Sequence, residues 1–454
     1  MESADLIVVG ASVGGLSAAI LAADLGLRTI VLEREKDPGG GAGREPEAIA
    51  AAGTRFQRVA GIDDAPARLA DDLLAATHHH VEPELVEALV AESAPLVEWL
   101  ADRCDVGIEL VTALVSTGHS RPRLHVPAEG SGQGLVAGLA RSAARSGRVA
   151  VRTGFQVDRL LRDDSGAVVG VGARSGRRVE QTIAGPVLLA CGGFVADDAL
   201  VAEHCPDAAA LPRSGWAGAV GEGLRLGHTV GAQLRRMRAF LVTPLSALPG
   251  DLPVTAPLIE MGAILVNQAG HRFADETEES LPLAFAVRAQ PGRVAYLLFD
   301  ERIASAARAA DPFFGRVVLP RAGRRANSLP ELAKQFELAA DPLGLAVDTY
   351  NANLDLGGDP FGREGAGVPL APPFHAIRVT GARRRTLGGL AVDAGARVLD
   401  AGGQPICGCY ATGGAAAGIG GDGTEGLLRG IDTLHALGLA RLAVRGLAAA
   451  RPTA

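Results

Sequence analysis

Residues 5–33 read DLIVVGASVGGLSAAILAADLGLRTIVLE. The apolar run Leu6–Val9 ends at Gly10, a loop of small residues follows, and about a dozen residues at helical spacing lead to a second apolar run, Ile30–Leu32, closed by Glu33. This is a strand, a tight turn, a helix and a strand. Gly10 allows the turn. Gly14 and Gly15 let the backbone approach a pyrophosphate and let the helix pack on the strand. The helix start offers unpaired N–H groups and the positive end of its dipole to phosphates. Glu33 falls about 20 residues beyond the loop, where an acid hydrogen-bonds a ribose hydroxyl. Ser12 stands where a second glycine is usual, and it is small enough to keep the turn. The stretch predicts a dinucleotide site.

The chain has 454 residues, more than one core accommodates, so two or three domains are expected. Apolar residues make up 48% and charged residues 21%, the balance of a globular enzyme. The net charge of −7 and the lack of basic blocks argue against nucleic acid as a partner. No apolar run approaches the ~20 residues that span a bilayer. The first strand begins almost at once, leaving no room for a signal peptide, and a cytoplasmic location is expected. The five cysteines, Cys104, Cys191, Cys205, Cys407 and Cys409, are odd in number and scattered, and read as reduced. His78, His79 and His80 point in different directions on a helix end and cannot share one ion, so no metal site is expected.

After Glu33 comes a Gly-rich loop, residues 39–43, and then a mainly helical stretch to about residue 118. SGQGLVAGLARSAAR, 131–145, reads as a helix. Short strands follow at 149–152, 156–161 and 168–173, the last two joined by the turn Asp163-Asp164-Ser165-Gly166. PVLLACGGF, 186–194, is a buried strand ending in a double glycine, expected to return beside the first strand. From about Arg235 to Leu370 prolines become frequent and the Gly-x-Gly loops thin out. The last 70 or so residues resume the earlier style, with a C-terminal helix expected from about Gly426 to Arg445. The organisation is therefore an α/β, Rossmann-like nucleotide domain in two parts, 1–234 and 371–454, interrupted by an inserted α+β capping domain, 235–370.

Beyond the opening stretch, GQGLVAGLARSAARSG, LLACGGF, GEGLRLGHTVGAQL, ILVNQAGHRFADE, DTYNANLDLGGDPFGR, PPFHAI and GGLAVDAGARVLDAGGQPICGCYATGG occur in order over nearly the whole chain. This set resembles the flavoprotein subunit family of fumarate reductase and succinate dehydrogenase, in the branch with 3-ketosteroid Δ1-dehydrogenases, tricarballylate dehydrogenase and urocanate reductase. The resemblance implies a glutathione-reductase-like FAD domain with extended FAD. Gly10, Ser12, Gly14 and Gly15 would cradle the pyrophosphate, with Glu33 and its neighbour Arg34 at the adenosine ribose. Gly40 and Gly41 would pass close to the cofactor, Val157 would lie near the adenine, and Ala190, Gly192 and Gly193 would make a second close approach. Glu222 lies in a Gly-Glu-Gly loop that matches the family's Gly-Asp-Gly. Gly413 and Gly414 match a Gly-Glu pair whose acid is absent here. The start of the last helix, near Leu427 and Leu428, would point N–H groups at the pyrimidine end of the flavin. Residues 34–77 hold no His, so FAD is expected to be non-covalent.

The family's reaction is hydride transfer between the flavin and a carbon next to a carbonyl or carboxylate, with an acid or base serving the neighbouring carbon. Its two His and two Arg fall here at Thr243, Ser280, Arg385 and Glu425. All four positions are substituted, which argues against fumarate or succinate as substrate. Arg383-Arg384-Arg385 reads either as a solvated face or, at Arg385, as a guanidinium aimed at a substrate carboxylate or enolate. Glu425 and Asp422 read as N-cap acids or as a base. Thr243 and His375 complete the catalytic candidates, His375 with packing as its alternative. Tyr296, Tyr350 and Tyr410 read as structural. His119, Arg121, Arg123 and His125 read as structural or as a substrate mouth.

The expected activity is an FAD-dependent dehydrogenase that desaturates a C–C bond adjacent to a carbonyl or carboxylate. A small ketone or carboxylic acid and an external electron acceptor or donor are its expected partners, with no membrane. The dehydrogenase direction is favoured because no CxxCH haem motif and no FMN domain is visible in the sequence. An ene reductase and a catalytically silent flavin protein are the alternatives. A flavin monooxygenase is disfavoured because its Gly-Asp motif is missing after Tyr410.

Overall fold

The structure, a computed structural model, describes residues 2–45, 47–176, 179–356, 358–363, 367–421 and 428–450. The strand Leu6–Val9 is buried along its whole length and lies inside a six-stranded sheet. It pairs in parallel with Thr29–Glu33 on one side and with Val187–Leu189 on the other. Val149–Thr153 extends the sheet beyond Thr29–Glu33, and Pro405–Ala411 extends it beyond Val187–Leu189. Arg397–Leu399 closes that edge antiparallel. Continuous apolar runs, rather than alternating ones, fit strands covered on both faces. The strand at 187–189 thus returns beside the first one, as its sequence predicts.

The first helix, Val13–Asp24, carries small side chains on all sides and is buried from Val13 to Ala22. It is sandwiched between the sheet, the helix Gly132–Arg145 and the C-terminal helix Ile431–Ala449. Alanine and glycine permit that close approach. The hairpin Phe155–Arg162 and Val168–Ser175 belongs to a second, four-stranded sheet against the nucleotide domain.

The second domain is built on a sheet in which Phe240–Ala247, Phe374–Thr386, Ala295–Asp300 and Ile264–Val266 are neighbours in that order. Its own core includes Tyr296, Phe299, Phe314 and Tyr350. The long strand Phe374–Thr386 belongs to this sheet. The sheet of the second domain thus extends past residue 371, to Thr386. The C-terminal helix begins at Ile431, behind Gly430 in the left-handed region (φ +86°); Gly426, near which the sequence starts it, lies outside the described residues. His78, His79 and His80 are exposed just past the end of the helix Pro66–Ala76.

Candidate functional site

A long cleft runs over the carboxyl ends of the parallel strands, where open α/β sheets bind ligands. It encloses about 1400 Å³ including its open mouth. Its floor is the turn after the first strand. Gly10 has φ +102°, and a Cβ there would lie 2.6 Å from the Ala190 carbonyl oxygen. A Cβ on Gly15 would lie 2.1 Å from the Gly10 carbonyl oxygen. Gly15 is set by helix–strand contact, while Gly10, Ser12 and Gly14 line the cleft. The Ser12 hydroxyl caps the helix by accepting the Gly15 N–H at 3.3 Å. The substitution of glycine by serine in the loop therefore supplies an N-cap.

Glu33 stands at the end of the second strand and lines the same cleft. One carboxylate oxygen accepts the Ala11 N–H at 2.7 Å and the other the Glu35 N–H at 2.8 Å. Two backbone donors thus hold the acid in place with lone pairs to spare for a ligand hydroxyl. Arg34 pairs with Glu222 at 2.8 Å, and Gln156 donates to Glu222 at 3.2 Å, joining three parts of the wall. Val157, Ala190, Gly40 and Gly41 line the cleft. Gly192, Gly193, Gly413 and Gly414 line it as well. Within 4 Å, a Cβ on Gly192 would meet only Trp216, and one on Gly413 only Ala436. A side chain at either position would stand in the cleft itself. The helix start, the anchored acid and these bare glycine approaches fit an extended dinucleotide such as FAD.

Elsewhere in the cleft a charged cluster gathers. Arg385 bonds Glu45, lies 3.3 Å from Glu47 and 3.5 Å from Asp432. Arg384 lies 3.5 Å from Glu45, and the Thr433 hydroxyl donates to Glu47. A bulge produces this arrangement. Leu241 pairs with Arg385 and its neighbour Val242 with Arg383, so Arg384 is the extra residue. A bulge breaks the strict alternation of a strand, and both Arg384 and Arg385 reach the cleft. Arg383 bonds Asp198 and the Leu211 carbonyl. The three arginines are therefore not a solvated face.

Burial sets the protonation preferences. It raises the Glu47 carboxyl above its ordinary range, with Arg385 opposing and Glu45 adding to the rise. Burial raises Asp432 as well. Burial acts the same way on Glu45, but Arg385 and Arg384 outweigh it and hold this group below the usual range. Burial opposes the charge on Arg385, and its acidic partners more than restore it. His435, also in the cleft, bonds the Ala417 carbonyl oxygen at 3.1 Å, and burial lowers it to about 4, so it is neutral.

Of the catalytic candidates among the described residues, only Arg385 lines the cleft. Thr243 is buried in its strand opposite Ala382, outside the lining. His375 lies within the second domain, stacked on Phe299 and bonded to Glu301 at 2.8 Å. Glu425, Asp422 and Leu427 lie outside the described residues. Leu428 precedes the last helix and packs toward Gly118 instead of the cleft. Arg123 is buried between Asp64 and Asp72, and His125 bonds Thr54 and the Arg123 carbonyl, so both are structural. Glu45, Glu47, Asp432, Thr433 and Trp216 escaped the sequence reading. The one available signal was Glu45-x-Glu47 directly after a Gly-rich loop, a spacing that places two acids on one face of an extended chain.

Fold and cleft together define a two-domain flavoprotein oxidoreductase with FAD as its cofactor. The model described as "FAD binding domain" matches residues 5–425, and the chain belongs to that family. It is 32% identical over 92% of its length to the NADH:fumarate oxidoreductase of Klebsiella pneumoniae, and spans 45% of that protein. It is 31% identical to the fumarate reductase (cytochrome) of Shewanella frigidimarina, covering 92% of this chain and 73% of the relative. Among solved structures, the open conformation of a flavocytochrome c3 fumarate reductase matches with TM-score 0.84 at 25% identity, over 99% of this chain and 78% of that one. A 3-ketosteroid-delta4-(5alpha)-dehydrogenase from Rhodococcus jostii matches with TM-score 0.71 at 25% identity, over 98% and 97%. Among the described residues no helix is long and apolar enough to cross a membrane.

Proposed function

We propose that this protein is an FAD-dependent dehydrogenase that removes two hydrogens from a C–C bond next to a carbonyl. The observation that carries the reading is the Glu47–Arg385 pair, which opens into the dinucleotide cleft where the second domain meets the first. Bound FAD supplies a two-electron hydride acceptor. The protein's part is to hold the substrate, take the second hydrogen as a proton and exclude water. Glu47, a carboxyl whose affinity for protons burial has raised, takes the proton from the carbon beside the carbonyl. Thr433 fixes the orientation of that carboxylate. Arg385 stabilises the negative charge that develops on the carbonyl oxygen. Glu425, next to this region in sequence, is a further candidate acid or base.

The residue set favours this direction. The positions at which the resemblance expects His and Arg hold Thr243, Ser280, Arg385 and Glu425, and the described lining adds the carboxylates of Glu45, Glu47 and Asp432, which accept protons when ionised. The ketone ligand of the Rhodococcus neighbour, 4-androstene-3,17-dione, is of the chemical type proposed. The reverse reaction, ene reduction, is the second reading, favoured by relatives named as reductases. The five unpaired cysteines support a reducing, cytoplasmic location. The test is anaerobic: oxidised holoprotein is mixed with saturated ring ketones, and the visible flavin absorbance is followed. Bleaching by a ketone supports the dehydrogenase. Reaction only of pre-reduced protein with enones supports the reductase.

A further inference from the structure

Three carboxylates and two guanidiniums meet at the proposed reaction end of the cleft. Among the described residues lining the whole cleft, the arginines are Arg34, Arg384 and Arg385. Each is engaged: Arg34 by Glu222, Arg384 by Glu45, and Arg385 by Glu45, Glu47 and Asp432. Three of the four positions at which the resemblance expects His or Arg hold Thr243, Ser280 and Glu425, so they bring no further cation.

We infer that the substrate is a neutral ketone, without a carboxylate near its reacting bond. The inference rests on the reading that this cleft is where the oxidation occurs. A guanidinium binds an incoming carboxylate well when its N–H fork is free to take both oxygens. Here the Arg385 fork is spread over three acids of the protein. A substrate carboxylate would have to displace one of them or add a fourth negative charge beside Glu45, Glu47 and Asp432. In a partly buried site that repulsion is weakly screened. A neutral carbonyl oxygen needs only one donor and displaces no acid.

The experiment is a calorimetric titration of the FAD-loaded protein with a matched pair. One member is a cyclohexanone carrying a carboxylate opposite the carbonyl, and the other is its methyl ester. The ester is expected to bind at least about tenfold more tightly than the acid. Glu47→Gln, nearly isosteric, and separately Asp432→Asn should each narrow the gap by favouring the acid. Equal or tighter binding of the acid, or binding of neither compound, overturns the inference. Anaerobic flavin bleaching in the same mixtures separates the two ideas. An ester that binds without bleaching the flavin defeats the proposed oxidation and leaves the charge preference intact. An acid that binds tightly and bleaches the flavin does the reverse.

Discussion

The Thr433 hydroxyl donates to the Glu47 carboxylate, joining the first turn of the C-terminal helix to the loop that follows the first Gly-rich turn. These residues lie 386 positions apart. The bond places a proton-carrying group beside the cofactor cleft and ties it to a helix N-terminus, whose dipole favours negative charge.

Replacing Glu47 with Gln keeps the shape and removes the proton acceptor. Turnover should fall by about 10²–10⁴-fold, with FAD content unchanged. Because burial raises the Glu47 pKa, the pH–rate profile of the natural protein should rise through an ionisation above the ordinary carboxylate range. That inflection should vanish in Glu47→Gln, and kcat/KM measured across pH checks it.

Thr433→Val removes a donor that stabilises the ionised form of Glu47. The Glu47 pKa should rise further and move the inflection to higher pH, the direction expected when a hydrogen bond to a carboxylate is lost. A purely structural role for Thr433 would lower stability without moving the profile.

Glu33→Ala strips two backbone N–H groups, those of Ala11 and Glu35, of their acceptor. An unsatisfied buried donor costs about 1–3 kcal/mol, and the proposed ribose contact is lost as well. FAD affinity, measured by titrating the apoprotein, should drop more than tenfold, an effect equivalent to about 1.4 kcal/mol. Ser12→Ala removes only a helix cap and should cost about 1 kcal/mol of stability.

His375→Asn should leave kcat within about twofold and lower the unfolding midpoint by the equivalent of roughly 1–2 kcal/mol, because its partners Glu301 and Phe299 lie inside the second domain. Thr243→Val should behave alike in turnover. A large loss of kcat in either variant would move the reaction centre away from Glu47.

His125 is fully buried, and burial lowers its pKa to about 4 from an ordinary 6.5. The unfolded chain takes up a proton at this residue below about pH 6.5 while the folded one does not. Its contribution to stability is therefore complete above that pH and falls by up to about 3 kcal/mol as pH drops to about 4. Urea unfolding of the natural protein and of His125→Gln should show a shallower pH slope for the variant across that window.

The nucleotide half of the fold was legible in the sequence. Leu6–Val9, Gly10, the small-residue helix and Glu33 obey local rules that act within 30 or so residues, and the strand at 187–189 announced itself by its apolar run. The proposed reaction end was not legible, for two physical reasons. The bulge at Arg384 reverses strand alternation, and no propensity marks a bulge between three identical residues. Glu45, Glu47, Asp432 and Arg385 come from three distant segments, and each alone reads as an ordinary surface charge. His375 shows the converse: a histidine after Pro-Pro-Phe reads first as packing and only second as catalytic, and it stacks on Phe299.

The most direct test of the central claim is product analysis after a single anaerobic turnover of the oxidised holoprotein with a neutral saturated ring ketone. The account predicts stoichiometric flavin bleaching and one equivalent of the corresponding enone, lighter than the ketone by two hydrogens. It also predicts that both are suppressed in Glu47→Gln. An enone formed at an undiminished rate in Glu47→Gln would contradict the proton-transfer role. Failure of every such ketone to bleach the flavin, with enones oxidising the pre-reduced protein instead, would contradict the dehydrogenase.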